Sequence, residues 1–376
     1  MKSLSIFALA GTTALTMGTA ATAQQVFSTW LEPNHVITRE GHLQWAEDLA
    51  AASNGEINFE VIVGGALIPA ASTMQGVADG LAQAGFHTAT YTPSDLPVSN
   101  ALADMGFITP DPFIMAFAYS DFMMNEKVGL EDWRSQGVLF GGGYAVPEYN
   151  FICREPVSTL EDMQGLRVRM PGGGWARFGQ EIGVVGVNVP STEIYLAFES
   201  GSVDCTASDT SHLTGGATLM EVSGGVTTLA MSPFYAGVTW AYNIDFWTGL
   251  TAEQRRTVFD VSAESLARLQ VAYSREALEA RDMAEAAGIP IVEPDASLQN
   301  AYDTWVAEGV GDMAGIATSA HGIEDPEALF ASFQGYVDKW EGLLSELEQP
   351  YTEEALTVLL QEHLYGPIDV ETWGLE

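Results

Sequence analysis

Positive charge is scarce in this chain, which has 14 Lys and Arg residues against 50 Asp and Glu residues and a formal net charge of −36. A nucleic-acid-binding surface needs clustered cations to replace the counterions of the phosphates, so the composition argues against a nucleic acid partner. The same shortage argues against binding to an anionic membrane surface. The acidic surface predicts a protein that stays soluble in salt, where charge repulsion is screened.

Motifs of the common enzyme classes are also missing. The sequence has no Gly-x-Ser-x-Gly nucleophile elbow, no His-Glu-x-x-His zinc motif and no glycine-rich phosphate loop in a nucleotide-binding context. Its six His residues are scattered, and no Cys and His spacing resembles a zinc site. We therefore expect no metal, no cofactor and no catalysis. A secreted hydrolase with two carboxylates at glycosidase spacing stays open as the enzyme alternative.

Beyond its first residues the chain has no long apolar run. Residues 1–23 read as a secretory signal, with Lys2 at the charged start, an apolar stretch from Leu4 to Ala21 and a small-residue cleavage site that ends at Ala23. The alternative is a membrane anchor, but the stretch is rich in Thr and Gly and short for a span, which needs about 20 strongly apolar residues. We expect export to the periplasm, cleavage near Ala23 and no stable membrane insertion afterwards.

Cysteine is limited to Cys153 and Cys205. Each ends a short β-like run, Asn150–Cys153 and Ser202–Cys205, and neighbouring strands could bring the two sulfurs within bonding range. An even pair in an oxidising compartment raises the chance of a disulfide. We nevertheless favour two small buried apolar side chains, because free cysteine is among the most buried residue types.

The chain has 376 residues, more than one hydrophobic core usually supports, which predicts two lobes. Alternating strands and helices over residues 26–89 predict a doubly wound α/β sheet with parallel strands. Further helices are predicted at 112–135, 296–315 and 326–347. The predicted parts are lobe 1 at 24–147 with return segments from about 235–290, the core of lobe 2 at 148–234, a long connecting helix at 251–287 with Thr251 as its N-cap, and a C-terminal helical region at 288–376.

The most informative stretch is Gly165–Asp204. Its first residues, up to Pro171, read as a strand on which Arg167 and Arg169 share one face, because strand side chains alternate with period two. Arg169 ends an apolar strand and precedes three glycines at 172–174, which places a scarce cation in a predicted cleft. A guanidinium is a planar fork that binds a carboxylate or sulfonate through two parallel hydrogen bonds. The alternative is a structural ion pair with one of the many acidic residues.

This stretch resembles the core motif of the extracytoplasmic solute receptors of TRAP transporters, the DctP-like family. The resemblance consists of the joint order of Arg169, Pro171, Gly186, Pro190, Glu193, Tyr195, Ala197, Gly201, Val203 and Asp204. It implies a periplasmic binding fold, type II-like, with two α/β lobes, strands that cross between them and a long helix that spans the hinge. It covers the chain from Val26 to about residue 320.

The resemblance also implies a function. Such a receptor is not an enzyme. It binds a small organic acid between its lobes and delivers it to a TRAP membrane permease made of a small and a large subunit, with energy from an ion gradient. A receptor that presents its ligand to a sensor kinase would use the same kind of pocket, and the sequence does not separate these two roles.

The resemblance implies that Arg169 fixes the acid group of the ligand. The other candidate ligand-binding residues lie in, at the end of or just after predicted strands, or after a glycine-rich turn. They are Trp30, His87, Thr88, Tyr91, Tyr149, Trp175, Ser208, Asp209 and Trp240. Aromatic faces suit planar or cationic parts of a ligand. Core packing is the alternative for each Trp, and a structural role is the alternative for His87.

Two departures from the family pattern leave the ligand class open. The usual Val-Asp-Gly is Val203–Cys205 here, and where some members have a second cation this chain has Glu148–Asn150. An acid at Glu148 would favour a ligand that bears a positive group or hydroxyls. We therefore keep carboxylates, hydroxylated sulfonates, aromatic acids and betaine-like zwitterions as possible ligand classes.

Overall fold

The computed structural model describes residues 24–309 and 312–375. The predicted signal segment lies outside these residues. Among the helices within them, none combines the length and the apolarity that crossing a bilayer requires. The strands are β1 (Gln25–Ser28), β2 (Phe59–Ile62), β3 (Ala84–Thr88), β4 (Val138–Phe140), β5 (Tyr149–Cys153), β6 (Arg167–Arg169), β7 (Val185–Val187), β8 (Cys205–Ser208), β9 (Gly225–Met231), β10 (Gly237–Asn243) and β11 (Ile291–Val292).

The helices pack on the two sheets or form a C-terminal layer. They are α1 (Gln44–Ala52), α2 (Thr73–Ala78), α3 (Pro97–Asp104), α4 (Pro112–Asn125), α5 (Lys127–Arg134), α6 (Leu160–Met163), α7 (Gly173–Glu181), α8 (Ile194–Glu199), α9 (Ile244–Gly249), α10 (Ala252–Ala286), α11 (Ala296–Gly309), α12 (Met313–His321), α13 (Pro326–Ser345) and α14 (Glu353–Leu360). A π-helical segment, Ile37–Leu43, leads into α1.

Two sheets form the two lobes, as the sequence predicts. The sheet of lobe 1 has the order β2-β1-β3-β10-β4, and that of lobe 2 has the order β11-β9-β5-β8-β6-β7. In lobe 1, β1 pairs in parallel with β2 and β3, whereas β10 returns antiparallel to β3 and β4. The sheets are therefore mixed, because the chain crosses from one lobe to the other between β4 and β5 and returns between β9 and β10.

The two crossing segments, residues 141–148 and 232–236, lie side by side. The amide of Val146 donates to the carbonyl of Phe234 at 2.9 Å. Where the first segment leaves β4, the amide of Gly141 donates to the carbonyl of Trp240 in β10 at 2.8 Å. The first bond joins the two segments and the second ties the first segment to β10, so the hinge forms a short two-stranded ribbon.

Helix α10 is the third connection between the lobes. It has 35 residues, and Thr251 is its N-cap as predicted, in a capping box with Gln254. At 1.5 Å per residue it is about 50 Å long. Its first half packs into the core of lobe 1 through Phe259 and Leu266, and its last turns pack into lobe 2 through Ala280 and Ala284. The helix therefore spans the molecule.

The C-terminal region packs on lobe 1. Helix α13 lies against α4, where the indole of Trp340 donates to the buried Asp121 at 2.9 Å. Past α14, the guanidinium of Arg256 donates to the carbonyls of Tyr365 at 2.8 Å and Ile368 at 2.6 Å. Residues 351–375 thus pack against the end of α10 that lies in lobe 1.

Two expectations need correction. Cys153 and Cys205 are not free, because they form a disulfide. The predicted strand run Ser202–Cys205 is also displaced, since β8 begins at Cys205 and the residues before it form a turn at Gly201. This register places Cys205 directly opposite Cys153 on the antiparallel β5, with their Cα atoms 4.0 Å apart.

Two predicted helices have other boundaries. The helix expected at 112–135 is two helices, because Glu126 adopts an extended conformation between α4 and α5. The helix expected at 296–315 ends as α11 at Gly309, and a separate helix, α12, begins at Met313. The helix expected at 326–347 is present as α13.

Candidate functional site

A cavity with about 420 Å³ of empty volume lies between the lobes. Lobe 1, lobe 2, the crossing segments and α10 all contribute to its wall. The lining residues are Trp30, Leu31, His35, Ile37, Phe86, Thr88, Thr90, Tyr91, Tyr144, Val146, Tyr149, Arg169, Pro171, Ser191, His212, Phe234 and Tyr273. Because most of these side chains are buried, the lobes are closed over the cavity.

Arg169 is the charged group of this cavity. It ends β6 between β7 and β8, and only 3% of the residue is exposed. Its Nε donates to the carbonyl of Val189 at 3.2 Å and its Nη1 donates to that of Ala207 at 3.3 Å. Within the part of the chain that the structure describes, no carboxylate lies within ion-pair distance of it. A buried cation without a counterion is costly, and an anion in the cavity could supply the counterion that Arg169 lacks.

Arg167, two residues earlier, shows the contrast. Its side chain is 45% exposed and pairs with Asp204 at 2.6 Å, which itself accepts the Arg167 backbone amide at 2.9 Å. The hydrogen bonds from Arg167 hold the pKa of Asp204 below its ordinary value. This is a structural ion pair within lobe 2, and of the two arginines on the strand it leaves Arg169 without a carboxylate partner among the described residues.

Aromatic rings form most of the remaining wall. The Trp30 ring packs against Phe86 and Tyr91, with ring centroids 5.1 Å and 5.2 Å away. Tyr144 continues this surface from the crossing segment, 5.3 Å from Phe86. Burial raises the pKa of Tyr144 and of Tyr149, so both phenols stay protonated. The wall is thus apolar, with neutral hydroxyl groups.

Contacts of these hydroxyls tie the wall together. The Tyr144 hydroxyl lies 3.1 Å from Oγ1 of Thr88. The Tyr91 hydroxyl accepts the backbone amide of Ser191 at 3.2 Å, which joins lobe 1 to lobe 2 at the edge of the cavity. Closure of the lobes therefore completes the wall.

A polar cluster around Asp209 lies behind the cavity. The buried Asp209 follows β8 and accepts hydrogen bonds from the amide of Ser211 at 3.1 Å and from the hydroxyl of Tyr273 at 3.2 Å. Burial alone would raise the pKa of Asp209, but the adjacent His212 and the bonds from Ser211 outweigh it, and the pKa lies below its ordinary value. Asp209 is therefore an anion that faces His212 and Tyr273 in the wall.

His35 completes this side of the cavity. The backbone amide of Ile37 donates to its Nδ1 at 3.2 Å. Burial, with the neighbouring His212, lowers the pKa of His35 to about 3. The ring is therefore neutral at ordinary pH and bears its proton on Nε2. Among the described residues no group of three or more His, Cys, Asp or Glu side chains has a metal-binding arrangement.

The structure brings part of the predicted site together. Arg169, Trp30, Thr88, Tyr91 and Tyr149 line the cavity. Trp175 lies one layer behind, with its ring 5.1 Å from that of Tyr149. Asp209 also lies in this second layer, through its contact with Tyr273.

Three predicted residues lie away from the cavity wall. Trp240 is fully buried in lobe 1, where its indole donates to the carbonyl of Gly41 at 2.9 Å. His87 faces the other side of β3 and its Nε2 lies 3.0 Å from Thr92 Oγ1; burial lowers its pKa to about 4. Ser208 contacts the hydroxyl of Thr206 at 2.8 Å. In the structure, these three side chains contact other protein groups and do not line the cavity.

Sequence reasoning missed several wall residues, of which His35, His212 and Tyr273 are the polar ones with side chains nearest Asp209. His35 had a usable signal, because it follows β1 and the carboxyl ends of parallel strands meet at one edge of a sheet. Tyr273 had none, since it lies in the middle of a long helix and reaches the cavity only through the packing of α10 between the lobes.

A clasp of three charged or polar side chains closes the lobes at another point. Asp104 ends α3 in lobe 1, and its Oδ1 lies 3.2 Å from Arg177 Nη2 on α7 in lobe 2. Its Oδ2 lies 3.0 Å from His321 Nε2 at the end of α12. The Asp104 side chain is 5% exposed, so water screens this contact weakly.

We expect Asp104→Asn to weaken ligand binding by up to about tenfold, mainly through faster dissociation, because a less populated closed state lowers the apparent affinity. Stopped-flow release of a bound ligand measures this. The matched control is Glu131→Gln, which removes a carboxylate from an exposed ion pair with Lys127 inside lobe 1. Equal release rates for both variants and the wild type would contradict a clasp.

The two lobes, the crossing segments and the cavity between them define a two-lobed solute-binding protein. The sequence comparison gives the family. Residues 27–312 match bacterial extracellular solute-binding protein, family 7, the DctP family, and the chain belongs to it. This is a family of extracytoplasmic receptors.

Three solved structures of TRAP solute-binding proteins are similar to this chain. One from Bordetella bronchiseptica with bound (R)- and (S)-mandelate is 21% identical, with a TM-score of 0.71 over 84% of this chain and 99% of the other. One from Rhodoferax ferrireducens T118 with copurified benzoate is 17% identical, with a TM-score of 0.76 over 85% and 99%. One from a marine metagenome with metahydroxyphenylacetate is 18% identical, with a TM-score of 0.71 over 84% and 98%. At these identities the likeness concerns the fold.

Proposed function

We propose that this receptor binds a small organic acid with one negative charge in the cavity between its lobes. The observation that supports this most is the buried guanidinium of Arg169, which has two carbonyl contacts and no acidic partner in the described chain. A carboxylate that enters the cavity supplies the missing counterion and accepts the remaining N–H groups of the fork. Tyr149 adds a neutral hydroxyl beside it.

The charge balance of the wall favours a monoanion. Arg169 is the permanent cation among the described lining residues, and no Asp or Glu lines the cavity. The anion of Asp209 lies directly behind His212 and Tyr273. A second carboxylate on the ligand would lack a second permanent cation in the wall, so we expect a dicarboxylate to bind more weakly than a monocarboxylate.

The shape of the wall favours a ligand with a ring or another compact apolar body. Trp30, Phe86, Tyr144 and Phe234 offer aromatic faces, and such faces bind planar groups. The mandelate, benzoate and metahydroxyphenylacetate bound by similar structures are small acids of this kind.

The family supports a proposal for the cellular role. The receptor is exported to the periplasm with cleavage near Ala23, takes up its ligand without chemical change, and delivers it to a TRAP permease of one small and one large membrane subunit. An ion gradient across that permease drives import. Support comes from the family match and from the lobe closure over the cavity.

A thermal-shift screen of the mature protein, after unfolding and refolding to remove copurified ligand, tests the proposal. The library holds monocarboxylates with and without rings, dicarboxylates, sulfonates and betaine-like zwitterions. We expect monocarboxylates to raise the melting temperature, because a ligand that binds only the folded state stabilises it. A shift from uncharged or cationic solutes alone would contradict an acid-binding role.

A further inference from the structure

We propose that the turn Ala89–Tyr91 of lobe 1 couples anion binding at Arg169 to closure of the lobes, and that Tyr91 is a positioning residue for this step. The inference rests on the proposed function, because it takes an acid ligand as the partner of Arg169. Thr90 and Tyr91 line the cavity from lobe 1. Ser191 lines it from lobe 2, as Arg169 does. The turn therefore faces the part of lobe 2 that bears the cation.

One link between the turn and the cation runs through three residues of lobe 2. Arg169 Nε donates to the carbonyl of Val189 at 3.2 Å. Two residues further on, the backbone amide of Ser191 donates to the Tyr91 hydroxyl of lobe 1 at 3.2 Å. Pro190 lies between these two contacts, with its φ fixed by the ring at −56°. Because this segment is short and stiff, the position of the guanidinium sets the position of the amide that Tyr91 accepts.

A second link joins the turn to the residues that follow Arg169. Gly172 has a φ of +121°, and the Cβ of any other residue at this position would stand 3.2 Å from Cγ2 of Thr90. The missing side chain lets lobe 1 approach lobe 2 closely here. Two segments of lobe 2 thus meet the same turn, and Arg169 is joined to both of them, through the chain in one case and through a hydrogen bond in the other.

The two links give closure a dependence on the anion. A carboxylate that pairs with Arg169 orders the guanidinium from the ligand side. The ordered guanidinium holds the Val189 carbonyl and with it the amide that Tyr91 accepts, so the bound anion stabilises the closed state. The Tyr91 ring also packs against Trp30, with ring centroids 5.2 Å apart. The same side chain therefore joins the aromatic wall to the anion site.

Stopped-flow release and association of the best acid from the thermal-shift screen test the proposal. Tyr91→Phe removes the acceptor. Ser191→Pro removes the donor amide, and the ψ of 152° at Pro190 is one that a following proline accepts. We expect each variant to release the acid about fivefold faster, with association within about twofold of the wild type, because the ligand enters the open protein. The double variant should release it no faster than the single variants.

Two further pairs of variants test the link to the cation and the close approach. Arg169→Lys keeps the charge but lacks the Nε–H that holds Val189, so adding Tyr91→Phe to it should accelerate release by less than about twofold. Gly172→Ala should accelerate release about fivefold or more through the contact with Thr90. Thr90→Ser, which removes the opposing methyl group, should restore most of this loss, whereas strain at a positive φ would persist in both backgrounds.

The matched control is Tyr195→Phe, because the Tyr195 hydroxyl donates to Glu221 at 3.2 Å within lobe 2. It should leave release unchanged. Circular dichroism and melting curves of the ligand-free variants confirm that each is folded. Wild-type release in Tyr91→Phe and Ser191→Pro, or multiplicative effects in the double variants, would overturn the coupling and leave acid binding intact. If no acid of the screen binds, the proposed function fails and this inference fails with it.

Discussion

Replacing Arg169 with Ala is expected to weaken binding of the acid ligand by at least about thirtyfold. Truncating one partner of a buried charged pair costs about 2–5 kcal/mol, and the carboxylate would be left buried without a counterion. Arg169→Lys should lie between the wild type and Ala, because an ammonium keeps the charge and loses the planar fork. Isothermal titration with the best ligand of the thermal-shift screen measures all three proteins.

Stability gives an internal control for this prediction. The ligand-free Arg169→Met variant should melt no lower than the wild type, since an apolar side chain replaces a buried cation that lacks a carboxylate. Arg167→Ala is the matched control on the same strand, because Arg167 is exposed and pairs with Asp204. It should leave affinity unchanged. Equal affinity in Arg169→Ala and the wild type would refute the role of Arg169.

Removing the disulfide is expected to cost about 4 kcal/mol of unfolding free energy for lobe 2. Cys153 and Cys205 are 52 residues apart, and closing a loop of about 50 residues restricts the unfolded chain by roughly this amount. Urea titrations of Cys153→Ala/Cys205→Ala, with and without dithiothreitol, measure the loss. The double variant should not respond to the reductant, and the reduced wild type should unfold with the variant.

Ligand binding should survive this change. The disulfide lies at one end of the β5–β8 pair, and Tyr149 begins β5 at the other end, next to the cavity. We expect the folded double variant to bind its ligand within about threefold of the wild type. Two free thiols per wild-type chain on thiol titration in denaturant would disprove the bridge.

The sequence predicts elements whose signals are local. Thr251 and Gln254 form the capping box that starts α10, and the helix ends at Ala286, one residue before the predicted end at 287. The strand that bears Arg169 is likewise defined by its own residues and the glycines after it. The prediction that Cys153 and Cys205 are unpaired was wrong. Their pairing depends on the register of two strands about 50 residues apart, which local patterns do not set.

In the candidate site, too, local patterns are visible in the sequence, whereas long-range packing is not. On β3, side chains alternate between the two faces of the sheet, so Phe86 and Thr88 line the cavity whereas His87 points away. The sequence shows the alternation but not which face meets the other lobe. His35, His212 and Tyr273 come from a loop, a short turn after β8 and a long helix, and only tertiary packing brings them to one wall.

The three connections between the lobes set how this receptor can move. The crossing segments at 141–148 and 232–236 are bonded to each other, and α10 runs alongside as a stiff third link. Such a linkage favours opening by a rotation of one lobe against the other about the ribbon. The ligand leaves when the whole lobe swings, so its residence time is a property of the hinge as much as of the wall that touches it.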